Sequence, residues 1–232
     1  MTLRLSTRIS IKWADDAPSE PTDTVVLSVG DYFMDLRITK ADQSINWAFA
    51  GTREILSREP RKWNHIIDSR LSFDPDEGKF QPLANGDDLE TGSMPCVEKG
   101  NQVTPYEEVW RELQPNHGMN RGWILQGKAD GDNVFLGQYG GIYLAMRQNK
   151  EGVFSVLKEE LTNVQGRLQW KSVYQSGDLK LPSLSSMGVI SPPEEEKWRI
   201  GGRAVFDGQA YQVRAMETHG KEKAVKPRTS RL

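Results

Sequence analysis

Apolar and polar residues alternate along most of this chain. Near its start Leu3, Leu5, Ile9, Ile11 and Trp13 share one parity, and Arg4, Ser6, Arg8, Ser10 and Lys12 take the other. That is the pattern of a strand with one buried face. From Thr24 the apolar parity runs through Val25, Leu27 and Val29, then switches after Gly30 to Tyr32, Met34, Leu36 and Ile38. A switch at a glycine predicts a β-bulge that bends one long strand. Ile45, Trp47, Phe49 and Ile55 continue the alternation, followed by Trp63, His65 and Ile67. Later strands are expected at Trp123 and Leu125, over 133–147 and 153–161, and at Leu168, Trp170, Ser172 and Tyr174. A last pair, 198–206 and 210–216, is joined at Asp207-Gly208, a hairpin signal.

Helical signals are few. Thr104-Pro105-Tyr106-Glu107 offers an N-cap, a proline at the first helical position and a capping-box acid. Tyr106, Val109, Trp110 and Leu113 then share a helical face, and Pro115 ends the segment. A short helix is predicted there, and a further helical turn at Ser191-Pro192-Pro193-Glu194. The chain also repeats itself: one shift places Gly30 on Gly137, Tyr32 on Tyr139, Trp63 on Trp170 and Ser69 on Ser176. The predicted fold is therefore mainly β, two antiparallel barrel-like halves with one or two short helices. The halves are 1–117 and 118–218, with a basic tail at 219–232.

Composition narrows the class. Charged residues make up 27% and hydrophobic ones 37%, which suits a globular protein. No apolar run approaches the roughly 20 residues that span a bilayer, and the first residues read as a strand rather than a secretory leader. Cys96 is the single cysteine, so no disulfide forms within the chain and a reducing, cytoplasmic setting is expected. A net charge of -2 gives no reason to expect a nucleic acid as partner. The tail carries Lys221, Lys223, Lys226, Arg228 and Arg231 and reads as a solvated end, with nuclear access left open.

Three stretches carry a family resemblance: Trp47-Ala48-Phe49-Ala50-Gly51-Thr52, the segment from Cys96-Val97-Glu98 to Tyr106-Glu107-Glu108-Val109-Trp110, and Gly137-Gln138-Tyr139. In these the chain resembles a fungal family typified by the budding-yeast protein named for interacting with a casein kinase I. The resemblance implies a double lipocalin-like fold and supplies no catalytic motif. Lipocalin-like fungal proteins also include cofactor-free cyclases of secondary metabolism, among them hetero-Diels–Alder enzymes, which is an analogy of fold.

The residues support few kinds of chemistry. His65, His117 and His219 are scattered and Cys96 has no partnered motif, so neither a metal site nor a cofactor is expected. No G-x-S-x-G is present, and Cys96 reads as an ordinary buried or loop thiol. What remains is a polar subset on apolar strand faces. Arg53 shares parity with Trp47 and Phe49, so it is expected to point into a barrel. There an unpaired guanidinium is costly and needs an acid, a wet cavity or a ligand. His65 lies between Trp63 and Ile67 on the inward parity, and Tyr174 follows Trp170. The leading expectation is a small-molecule-binding protein for an apolar or aromatic metabolite, whose activity, if it is an enzyme, is cofactor-free cyclisation. Arg53 would stabilise developing negative charge and His65 would shuttle protons. Trp47, Trp63, Trp170 and Tyr174 would be the binding walls. The plainer alternative gives Arg53 a buried acid and makes His65 a satisfied core histidine, in an interaction protein that binds a kinase or another protein.

Overall fold

The computed structural model describes residues 2–55, 60–74, 76–114 and 120–218. The basic tail, His117 and His219 lie outside the described residues. Strands β1 (Leu3–Trp13), β2 (Thr22–Val29), β3 (Tyr32–Thr39), β4 (Ile45–Ile55), β5 (Arg61–Asp68), β6 (Asp76–Pro82), β7 (Asp88–Cys96) and β8 (Gln102–Glu112) form a closed antiparallel barrel in sequence order. Strands β9 (Arg121–Ala129), β10 (Asp132–Tyr139), β11 (Ile142–Gln148), β12 (Phe154–Val164), β13 (Arg167–Ser176), β14 (Arg203–Phe206) and β15 (Gln209–Thr218) form a second sheet. Its order is β13-β12-β11-β10-β9-β15-β14.

That order repeats the barrel's. Read from β5 through β1 to β8 and β7, the barrel has the same sequence of neighbours with β6 left out. In the second sheet the place of β6 is taken by 177–202, which carries one helical turn, α1 (Leu184–Met187), and a 3₁₀ turn at Glu195–Lys197. Leu184 and Trp198 from this segment bury themselves against Trp123, Tyr143, Trp170 and Phe206. The barrel closes through β6, whereas the second array remains a sheet whose concave face is filled by side chains.

Two local expectations are corrected. The segment at Thr104 is not a helix but β8, with Thr104, Tyr106, Glu108 and Trp110 all buried on one parity. It pairs with β1 on one side and β7 on the other, and this tertiary pairing overrides the local capping signals. Gly30 is likewise not a bulge within one strand. With Asp31 it makes the two-residue turn of the β2–β3 hairpin, in which Val29 pairs with Tyr32. Its φ of 56° fits a turn that places glycine first. The counterpart of Gly30 is therefore Gly140, which has the same φ and begins the β10–β11 turn. Gly137 sits inside β10, where a Cβ would come within 2.6 Å of the Met34 sulfur. It lets β10 lie close against the barrel.

The main core lies between the barrel and the sheet rather than inside the barrel. Leu5, Val25, Leu27, Val29, Met34, Leu36 and Ile67 pack on Ile124, Phe135, Leu144, Met146 and Val156. The regular apolar parity of β1 to β3 thus faces outward, onto the second sheet. The other parity, with Arg4, Ser6, Asp35 and Arg37, lines the barrel.

Candidate functional site

A barrel whose outer face is apolar must put its polar parity inside, and the interior here is rich in charge. Arg8 donates to Glu108, to Glu20 (Nε to Oε2, 2.7 Å) and to the Thr22 hydroxyl (3.0 Å). Arg37 donates to Asp35 at 2.9 Å and lies 3.4 Å from Glu108. Its guanidinium also sits 5.1 Å from the Trp47 ring centre, 5.5 Å from Phe49 and 5.7 Å from Trp110, within cation–π range. Burial opposes the charge on Arg37, but Asp35 and Glu108 outweigh it and hold the group firmly protonated. Arg4 pairs with Asp88 at 2.6 Å.

A cavity with a volume of about 70 Å³ lies within this interior. By the ~10–15 Å³ needed per water, it holds roughly five waters. Phe33, Phe49, Trp63, Phe80 and Trp110 supply aromatic wall, and Arg4, Arg53, Arg61, Asp76 and Glu90 supply charge. Arg53, on β4 opposite Trp63, is 9% exposed. Its Nη2 reaches the Gly30 carbonyl at 3.4 Å and its Nε has no partner. Burial, then the nearby cation of Arg61, pulls its pKa below the ordinary arginine value. Arg61 rests on Phe80, 4.2 Å from the ring centre.

The acidic side of the cavity depends on a pair of glycines. Gly78 on β6 and Gly92 on β7 are cross-strand partners. A Cβ on Gly78 would collide with the Glu90 carboxylate, and one on Gly92 would come within 2.5 Å of the Tyr106 hydroxyl. The Tyr106 hydroxyl donates to Glu90 at 3.1 Å. Burial, with Glu108 and Asp76 close by, pushes the Glu90 carboxyl well above its usual range. Burial also raises Asp76.

The other sequence candidates fall in three places. Trp63 lines the cavity with Arg53. Trp47 and His65 lie deeper in the barrel, around Asp68. His65 Nδ1 is 2.7 Å from Asp68 Oδ2 and 3.0 Å from the Ser72 carbonyl. Both are acceptors, which assigns the proton to Nδ1. Trp47 Nε1 donates to the same carboxylate oxygen at 3.0 Å. The imidazole stacks on Phe49 at 4.3 Å, and its Nε2 is buried without a partner among the described residues. Trp170 belongs to the filled face of the second sheet, where its Nε1 donates to the Ile190 carbonyl at 2.8 Å. Tyr174 packs beside the inter-sheet core and donates to the Gln43 carbonyl at 3.0 Å. Cys96 is buried at the end of β7, and burial raises its thiol pKa. Sequence reading missed Asp35, Arg37, Asp76, Glu90 and Glu108, because charges alternating with apolar residues look like a solvent face.

The sequence profile of the family described as Protein HRI1 matches residues 4–213. The chain belongs to that family. A crystal structure of an uncharacterised Saccharomyces cerevisiae protein, YLR301w, superposes with a TM-score of 0.70 at 15% identity. The match covers 95% of this chain and 100% of that one, and at such identity it shows the shared fold alone. No curated protein matches the sequence significantly. Among the described residues no helix is long and apolar enough to cross a membrane, and no group of three or more His, Cys, Asp or Glu is placed to hold a metal ion.

Proposed function

We propose that this member of the family is a small-molecule-binding protein whose barrel takes a compact ligand and holds its acidic group at Arg53. The supporting observation is Arg53 itself: a guanidinium 9% exposed, on a cavity wall, with its Nε unpartnered and no carboxylate within ion-pair distance among the described residues, Asp31 acting on it only from farther away. Leaving such a donor unpaired is unfavourable unless an anion or water completes it. At about 70 Å³ the cavity is well below the ~300–1,000 Å³ of sites for drug-sized ligands, so the ligand is small. Trp63 and Phe80 offer ring faces for a short apolar body.

Cyclisation of a bound metabolite would extend this reading, with Arg53 as the electrostatic donor. His65 does not line the cavity, so proton transfer to a ligand there has no direct path from it in this arrangement. The reading rests on binding. Its test is titration with benzoate and short aliphatic carboxylates, followed by tryptophan fluorescence, since Trp63 and Trp110 both border the cavity. Saturable binding that Arg53→Met abolishes is expected. No binding by the folded protein, or equal binding by Arg53→Met, would overturn the proposal.

A further inference from the structure

We infer that the barrel cavity selects a small zwitterion of the α-amino-acid type, its carboxylate at Arg53 and Arg61 and its ammonium at Asp76 and Glu90. This rests on the binding reading above and deepens it by naming the ligand class.

Part of the interior charge is already matched within the barrel. Arg8 and Arg37 are matched by Glu20, Glu108 and Asp35, and Arg4 by Asp88. Four charged groups on the cavity wall are left without an ion pair among the described residues: the cations Arg53 and Arg61, and the acids Asp76 and Glu90. The two sets do not pair with each other either, since no nitrogen of one lies within the 4.0 Å ion-pair limit of an oxygen of the other. Groups of opposite charge thus line one small cavity without touching, so a ligand inside it meets donors and acceptors of both signs. A simple carboxylate satisfies only one sign, and a simple amine only the other. A molecule with both groups a few ångströms apart answers both signs at once.

Three features show that this polarity is built in. Arg53 is nine-tenths buried, with its Nε unpartnered. Gly78 and Gly92 clear the space into which Glu90 and the Tyr106 ring lie. Tyr106 donates to one Glu90 oxygen and so fixes the carboxyl's orientation. The volume also fits. Roughly five waters at ~30 Å³ of liquid each amount to about 150 Å³, the size of a small aliphatic amino acid.

Burial and the neighbouring acids raise the Glu90 pKa and so favour its protonated form when no cation lies beside it. An ammonium group beside it reverses that preference. Binding a zwitterion then moves the Glu90 proton to the buffer, whereas binding a plain carboxylate does not.

Calorimetric titrations test this with the small α-amino acids from glycine to leucine, the acids that lack the amino group, and the amines that lack the carboxylate. At least one amino acid should bind about tenfold or more tighter than its matched acid and amine. It should release a proton, seen as an apparent enthalpy that varies with the buffer's ionisation enthalpy. Glu90→Gln should bring the amino acid down to the affinity of the acid and leave the acid's own affinity unchanged. Asp76→Asn serves the same purpose should the Glu90 variant fold poorly. Acids that bind as well as or better than every amino acid, or a discrimination that survives both substitutions, would overturn the zwitterion inference and leave the anion site standing. If neither acids nor amino acids bind the folded protein, the binding reading fails and this inference with it.

Discussion

Two buried arginines in the same barrel should respond oppositely to the same substitution. Methionine in place of either keeps most of the side chain's length and removes its charge. Arg8 is 4% exposed at its side chain and is held by Glu108, Glu20 and Thr22. Arg8→Met leaves the Glu108 carboxylate, 3% exposed, with only the 3.4 Å contact to Arg37. Breaking a buried pair from one side costs about 3–5 kcal/mol. Arg53→Met breaks no ion pair among the described residues and loses only the longer-range attraction of Asp31. It gives up one long hydrogen bond to Gly30, worth at most ~0.5–1.5 kcal/mol, and relieves the like charge of Arg61 and the burial of an unpaired cation. These terms offset, so stability should stay within about 1 kcal/mol of the parent. For a chain of this length each kcal/mol moves the melting temperature by about 2–4 °C. Arg8→Met should therefore melt roughly 6–20 °C lower, and Arg53→Met within about 4 °C of the parent. Calorimetric melts and urea titrations on matched preparations check this. If Arg53→Met falls as far as Arg8→Met, Arg53 has a carboxylate partner in solution, and the cavity loses the donor that defines it.

Gly137→Leu places a side chain where a Cβ alone meets the Met34 sulfur at 2.6 Å, and should lower stability by about 1–3 kcal/mol through overpacking between the sheets. A urea midpoint equal to the parent's would show that β10 and β3 separate freely. Gly30→Val forces a β-branched residue to a φ of 56° in the hairpin turn and should cost about 1–3 kcal/mol by the same assay, whereas a bend that tolerated any residue would leave the midpoint unmoved. Glu90 has a raised folded pKa, so the folded state holds the extra proton and its stabilising contribution is complete below the unfolded value of about 4.3. That contribution is lost as pH rises through the elevated folded value, at about 1.4 kcal/mol per pH unit of the window. Glu90→Gln should remove this decline and be the more stable protein at pH 8; a parent and variant with parallel stability–pH curves would contradict the assignment.

Most strands were legible because alternation needs only one buried face, and nearly every strand here has one. The interior was harder to read. In β3 the charges Asp35 and Arg37 alternate with Met34, Leu36 and Ile38, and local sequence gives no sign that the charged parity is the enclosed one. The reason is tertiary: a second sheet covers the barrel's apolar outside, so both faces of β3 are buried. The same effect disguised β8. A carboxylate at Glu108 in the buried parity broke the alternation, and Tyr106, Val109, Trp110 and Leu113 then matched a helical period. The inward placement of Arg53 was legible because Trp47 and Phe49 share its face, so there the apolar parity and the barrel interior coincide. The repeat was visible, but its register depended on the turn glycines. Matching Gly30 to Gly140 brings Phe33-Met34-Asp35-Leu36-Arg37 onto Tyr143-Leu144-Ala145-Met146-Arg147, a closer likeness than the register through Gly137.

In that corrected register the barrel interior keeps a charged cavity where the equivalent face of the second sheet is packed with side chains. Phe33 and Tyr143 occupy equivalent places, but Asp35 has Ala145 as its counterpart, and the buried acid of that face, Glu159 on β12, is taken up by the Ser183 and Ser185 hydroxyls and the Leu184 amide. With that acid already satisfied by 183–185, Trp123, Tyr143, Trp170, Trp198 and Phe206 fill the rest of the face, and the Tyr143 hydroxyl donates to the Pro182 carbonyl at 2.9 Å. Arg147, the counterpart of Arg37, turns to Asp132 at 2.7 Å and Asp130 at 3.2 Å. The barrel keeps its charges inside although burying them is unfavourable, and the apolar interface with the second sheet offsets that cost. Core and cavity thereby fall on different surfaces of the same strands. The parity of Leu27, Met34 and Leu36 packs on the second sheet, and the parity of Arg37, Arg53 and Glu90 faces the cavity. Substitutions on the first parity should lower melting temperature without changing affinity per folded molecule, and substitutions at Arg53 should do the reverse.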